Sequence, residues 1–163
     1  MAVSLGGDTV GDNKHIYFKP KSINSWLDNA ISSLSSMLEE YNIDGIDFDY
    51  EHFLGADTNS FAECIGQLIT KLKKSGKIQF SSIAPYEGSA VQSHYKTLWK
   101  KYGHVIDYVN FQFYAYDKID VPQYVKYFNE QSSNYEGGQI LASFVNRGGG
   151  GLGSKDGFFE ACK

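Results

Sequence analysis

The chain alternates between two hydrophobic periods over ten segments, and that alternation limits its folds more than any other feature. Residues 1–7, 43–51, 78–84, 108–114 and 140–144 read as strands, bounded by turn residues or alternating apolar and polar side chains. Between them, 22–41, 59–74, about 91–102 and 121–131 carry apolar residues at helical spacing, and a last helix is expected at about 154–162. In the first helix Ile23, Trp26, Leu27, Ala30, Ile31, Leu34, Met37, Leu38 and Tyr41 share one face, with Ser22 as N-cap and Asn42 as the stop. This aromatic and methionine stripe is read as core. Strand and helix alternating at this spacing imply βα units around a parallel sheet. The segment 8–21 reads as polar loop, and Arg147–Gly153 as a flexible glycine-rich loop that lacks the Lys-Ser/Thr of a phosphate loop.

The strand at 43–51 carries the chemistry. Asp47, Asp49 and Glu51 alternate with Ile46, Phe48 and Tyr50. A strand turns successive side chains to opposite faces, so the three carboxyls share one face, neighbours about 7 Å apart along it. Like charges so placed raise one another's pKa, and the set titrates as a unit. A carboxyl kept protonated near neutral pH is what a glycosidase requires of its general acid. Two other readings stand beside this one: an edge strand with its acids in water, and a divalent-cation site, though the spacing is not that of an EF-hand loop. A second strand repeats the logic with neutral groups. Asn110, Gln112 and Tyr114 alternate with Val109, Phe111 and Phe113.

Bulk properties exclude several classes. A net charge of −4 gives no electrostatic case for nucleic acid or anionic membrane. No apolar run approaches the ~20 residues of a membrane span, and no signal peptide is visible after Met1. With two cysteines, Cys64 on an apolar helix face and Cys162 near the end, a disulfide-stapled fold is not expected. Aromatic residues make up 15% of the chain, which suits either a sugar-binding surface or a packed interior.

Asp44-Gly45-Ile46-Asp47-Phe48-Asp49-Tyr50-Glu51 fits D-G-x-D-x-D-x-E, and the chain thereby resembles glycoside hydrolase family 18, the chitinases and their relatives. Ser4-Leu5-Gly6-Gly7 resembles the S-x-G-G of the family's third strand, Ala84-Pro85 its fifth, and Gln112-Phe113-Tyr114 the Q-x-Y of its sixth. The likeness is greatest to the plant branch, which holds chitinases and inactive barrel proteins such as narbonin. The resemblance implies a (β/α)8 barrel truncated to about five βα units, strands 3–7, with residues 1–163 as one partial catalytic domain. Two raw sheet edges would remain, so a fragment, a truncated gene product or self-association through those edges is expected.

The resemblance also implies hydrolysis of β-1,4-linked N-acetylglucosamine with retention, the substrate's acetamido oxygen attacking the anomeric carbon. Glu51 would be the acid/base and Asp49 the partner of the acetamido N–H. Asp47 would share a proton with Asp49, and Tyr114 would donate to the acetamido oxygen. Gln112 and Asn110 would line the sugar site, with Ser4 and Gly6 keeping room beside the acidic strand. His52 is either a loop histidine or a substrate contact. The implied partner is chitin or its oligosaccharides, and neither metal nor organic cofactor is called for. Members are mostly secreted or vacuolar. A non-catalytic storage, lectin-like or inhibitor protein, and an endo-acting hydrolase of N-glycans, are the alternatives.

Overall fold

The computed structural model describes residues 1–144, 146 and 150–163. In chain order the elements are β1 (Ala2–Gly7), β2 (Thr9–Val10), β3 (Lys14–His15), β4 (Tyr17–Phe18), α1 (Ile23–Glu40), β5 (Gly45–Tyr50) and β6 (His52–Phe53). There follow α2 (Thr58–Lys74), β7 (Phe80–Ile83), α3 (Ser89–Tyr102), β8 (Tyr108–Val109), α4 (Val121–Asn134), β9 (Gln139–Ile140) and α5 (Phe158–Ala161). Short 3-10 turns lie at Gly103–Val105 and Phe113–Ala115.

Five strands form one parallel sheet in the order β1-β5-β7-β8-β9. Spatial order equals chain order and a helix links each successive pair. A doubly wound sheet reverses its order at a switch point; this one does not, and it follows the path of a barrel wall. Among the described residues no strand lies outside β1 or β9 in this sheet.

The register gives each face its character. Ser4, Asp47, Ser82 and Tyr108 are aligned across four strands, as are Leu5, Phe48, Ile83 and Val109. Partners in a parallel ladder point to the same side, so the acids line one face and the apolar residues the other. The apolar side is closed by helices. Ile46, Phe48, Ile83 and Val109 are fully buried, as are Phe61, Ile65, Leu68 and Ile69 of α2 and Tyr95 and Leu98 of α3. Burying one such side chain contributes about 1.5–3 kcal/mol. Tyr95 is the polar member of this core. Its hydroxyl donates to the Phe48 carbonyl at 3.0 Å, with the Tyr50 carbonyl at 3.1 Å, and so ties α3 to the back of β5. Tyr124 and Tyr135 are also buried, so the aromatic excess largely packs the interior.

Helix ends follow local chemistry. Ser22 caps α1 by accepting from the Ser25 amide at 3.2 Å, and Asn42 leaves it with φ +50°. Asp57 caps α2 through the Ser60 amide at 2.7 Å. Asp120 and Gln123 form a reciprocal capping box at α4. Cys64 is buried and Cys162 exposed, both as free thiols. Among the described residues no helix is long and apolar enough to cross a membrane.

Several expectations need correction. The stretch 8–21 holds a small β2–β3 hairpin, and β4 pairs in parallel with β6. His52 is therefore a strand residue, not a loop histidine. The strand expected over 108–114 is laddered only at Tyr108–Val109; Asn110 and Gln112 still donate to the carbonyls of Ile83 and Pro85, and a 3-10 turn then takes over. Tyr114 thus sits on a turn. The strand expected over 140–144 ends at Ile140. Beyond it the Ser143 hydroxyl donates to Phe111 at 2.6 Å and accepts from the Phe113 amide at 3.1 Å, replacing ladder bonds with side-chain ones. The last helix is cut to Phe158–Ala161 because Gly157 enters it at φ +111°. Of the glycine-rich loop, residues 147–149 lie outside the described residues; Gly151 bridges to Lys118 and Leu152 is buried.

Candidate active site

Strand β5 delivers Asp47 and Asp49 to one face and ends at Tyr50, so the expected strand over 43–51 stops one residue short of Glu51, which stands at the sheet's C-terminal edge, where barrel enzymes carry their chemistry. Each carboxyl has its own setting. Asp47 is held from both sides. Ser4 of β1 donates to its Oδ2 at 3.2 Å and Ser82 of β7 to its Oδ1 at 2.5 Å. Both serines stand at its register positions on the neighbouring strands.

Asp49 lies between the other two. Burial pushes its carboxyl up to about 7, and the charges of Glu51, then Asp47, then Asp8 add to the rise. The Gln112 amide opposes it by donating to Oδ1 at 3.0 Å. The same nitrogen donates to the Ala84 carbonyl at 2.8 Å, which fixes the side chain. Tyr114 then donates its hydroxyl to Gln112 Oε1 at 3.0 Å, completing a chain from tyrosine to amide to acid. Burial also raises the Glu51 carboxyl, with the Asp8 charge adding to it. Burial and the three acids raise the Tyr114 phenol, so it remains a donor.

Gly6 is paired with Asp49. A β-carbon there would stand 2.8 Å from the Asp49 carbonyl carbon and oxygen, and the backbone has φ +116°. Only a residue without a side chain lets β1 pass this close. Of the eight residues expected at the site, seven are brought together around Asp47, Asp49 and Glu51. Asn110 is not: it is exposed, and no side-chain hydrogen bond joins it to the acids among the described residues.

Three further residues belong to the neighbourhood. Ser82 was hidden in a short strand whose own alternation aims it at Asp47. Tyr86 follows Pro85 at the strand's end, and the charges of Glu51, Glu87 and Asp8 join burial in raising its phenol. Asp8 follows the Gly6–Gly7 pair at the end of β1. Its Oδ1 lies 2.7 Å from His52 Nε2 and 3.2 Å from His15 Nδ1, and the hydrogen bond to His52, joined by that to His15, holds the carboxyl below its ordinary value.

Known proteins share this architecture. The profile of the glycosyl hydrolases family 18 matches residues 1–142. "Chitinase 1" of Tulipa saxatilis subsp. bakeri is 58% identical over 163 residues, which is 99% of this chain and 51% of that protein. The crystal structure of a family 18 chitinase from Crocus vernus superposes with a TM-score of 0.94 at 47% identity, over 99% of this chain and 58% of the other. The catalytic domain of a family GH18 chitinase from the fern Peteris ryukyuensis gives 0.91 at 45% identity, with the same coverage. The chain thus spans about half the length of the chitinase whose sequence it matches and somewhat more of the two solved ones.

Proposed function

Because the chain belongs to the glycosyl hydrolases family 18, we propose that β5 is the acid–base strand of a hydrolase that cleaves β-1,4 bonds between N-acetylglucosamine units with retention. On this reading residues 1–163 are part of one catalytic domain. Glu51 gives its proton to the glycosidic oxygen as the bond to the anomeric carbon breaks. The acetamido oxygen of the same sugar attacks that carbon, forming a cyclic oxazolinium ion. Asp49 accepts the acetamido N–H and balances the positive charge. Water then adds at the anomeric carbon, Glu51 takes up its proton, and the acetamide is restored.

The observation that carries this reading is the state of Asp49. It is a half-buried carboxyl raised to about 7, flanked by two acids and tied through Gln112 to a tyrosine hydroxyl. A proton held in such a set moves between Asp47 and Asp49 as charge develops on the substrate. Tyr114 turns its hydroxyl from Gln112 to the acetamido oxygen, and Gln112 lines the sugar site. Ser4 acts through Asp47, and Gly6 gives β5 room. The chitinase names carried by the tulip, crocus and fern proteins support the substrate class.

The test is hydrolysis of a fluorogenic chitotriose, beside the same trisaccharide with its acetyl groups removed. Turnover of the acetylated sugar alone is expected. Equal cleavage of both would overturn the substrate-assisted reading, and cleavage of neither by the folded chain would overturn the activity.

A further inference from the structure

A second group of ligating side chains stands beyond the acidic strand. Asp8 follows β1, His15 ends β3 and His52 opens β6, so three separate segments each supply one residue. Asp8 Oδ1, His15 Nδ1 and His52 Nε2 all lie within 4.8 Å of one another. We propose that Asp8, His15 and His52 form a binding site for a divalent transition-metal ion of the zinc type, which fastens the β2–β3 hairpin to β6. The proposal is independent of the chemistry assigned to Glu51.

The geometry fits such an ion. A tetrahedral centre with bonds of about 2.0–2.1 Å keeps its ligand atoms about 3.3 Å apart. The carboxylate oxygen is already 2.7 and 3.2 Å from the two ring nitrogens. The two nitrogens lie within 4.8 Å of each other, so coordination requires the imidazoles to turn from the carboxylate oxygen toward a common centre. The fixed frame comes from the backbone: Asp12 and Asn13 turn the hairpin at φ +33° and +56°, the Ile16 amide donates to the Asp8 carbonyl at 3.0 Å, and Tyr17 pairs with His52. The two imidazoles pack with ring centres 4.2 Å apart.

The donor set selects the metal. Two imidazole nitrogens with one carboxylate suit zinc, copper, nickel or iron, whereas calcium and magnesium take oxygen ligands. The carboxyl and His15 are about half exposed and His52 less so, which leaves the remaining positions to water and gives the ion a direct path from solvent.

Histidine spectroscopy on the 163-residue chain tests this. The chain has 4 histidines, and those outside the cluster serve as internal controls. His94 has its ring nitrogens 2.7 and 3.2 Å from the carbonyls of Ala90 and Ala56. Zinc would be titrated into a Cys162→Ser background, to remove the exposed thiol, while imidazole nitrogens are followed by two-dimensional NMR. One equivalent is expected to shift His15 at Nδ1 and His52 at Nε2, leaving His94 and His104 unchanged. Asp8→Ala and His15→Gln each remove a direct ligand and should weaken binding by more than the about 10–100-fold typical of a lost supporting partner. Shifts centred on His94 or His104, no saturation at one equivalent, or undiminished binding in both variants would overturn the site. The unsubstituted triad's spectrum decides the matter even if a variant fails to fold.

Discussion

Replacing Asp49 by asparagine should stabilise the fold at alkaline pH and do little in acid. The native carboxyl binds its proton up to about pH 7, against 3.8 as the ordinary value. Between those values the native state holds more protons than the unfolded chain, so stability falls as pH rises through this window. The penalty is absent well below 3.8 and complete above about 7. At 1.36 kcal/mol per unit the shift corresponds to roughly 4 kcal/mol at full weight. Contact with solvent screens it, and about 1–2 kcal/mol is the realistic share. The carboxamide keeps an oxygen for the Gln112 donor and carries no charge to desolvate. For a chain of this size that share is about 2–8 °C in Tm. Thermal unfolding of both proteins at pH 4 and pH 8 measures it. The variant's advantage should grow by this amount between the two. An equal gap at both pH values, or a variant less stable at pH 8, would refute the claim that burial among like charges dominates at Asp49.

Other perturbations reach the supports of the site. Gly6→Ala forces a β-carbon to 2.8 Å from the Asp49 carbonyl at φ +116°, and should cost about 2–4 kcal/mol in chemical denaturation; a neutral result would mean that β1 does not press on β5. Tyr95→Phe leaves the Phe48 and Tyr50 carbonyls without their hydroxyl and should cost about 1–3 kcal/mol, with faster amide exchange in β5. Gln112→Leu removes a donor that favours the charged form of Asp49. A carbon-13 NMR titration should then place the Asp49 carboxyl above the parent's value, and an unchanged titration would count against the amide's role.

Much of this was legible in the sequence because the period-2 code acts through sterics alone. Alternation in β5 sets Asp47 and Asp49 opposite the buried Ile46, Phe48 and Tyr50, with Glu51 directly beyond the strand. Gln112 was legible for the same reason. Tyr114 was placed on the right side by the wrong element: a 3-10 turn carries its hydroxyl back to Gln112. Asn110 shows the limit, since parity gives a direction and not a partner. The two-residue strands β2, β3, β4 and β6 carry too few residues for any period to register. Their pairing depends on the left-handed turn at Asp12–Asn13 and on tertiary contact, so the Asp8, His15 and His52 cluster emerges only in three dimensions. Ser82 and Ser143 were equally hidden, because each acts through a hydroxyl bond to a residue distant in sequence.

In the proposed reaction Glu51 is the group that moves the proton. Turnover of fluorogenic chitotriose by the parent chain and by Glu51→Gln, each with a cooperative melt recorded alongside, tests it most directly. A measurable rate is expected in the parent, with a loss of about 10²–10⁴-fold in the variant at an unchanged melting temperature. Equal rates in the two, or a well-folded parent with no turnover, would contradict it.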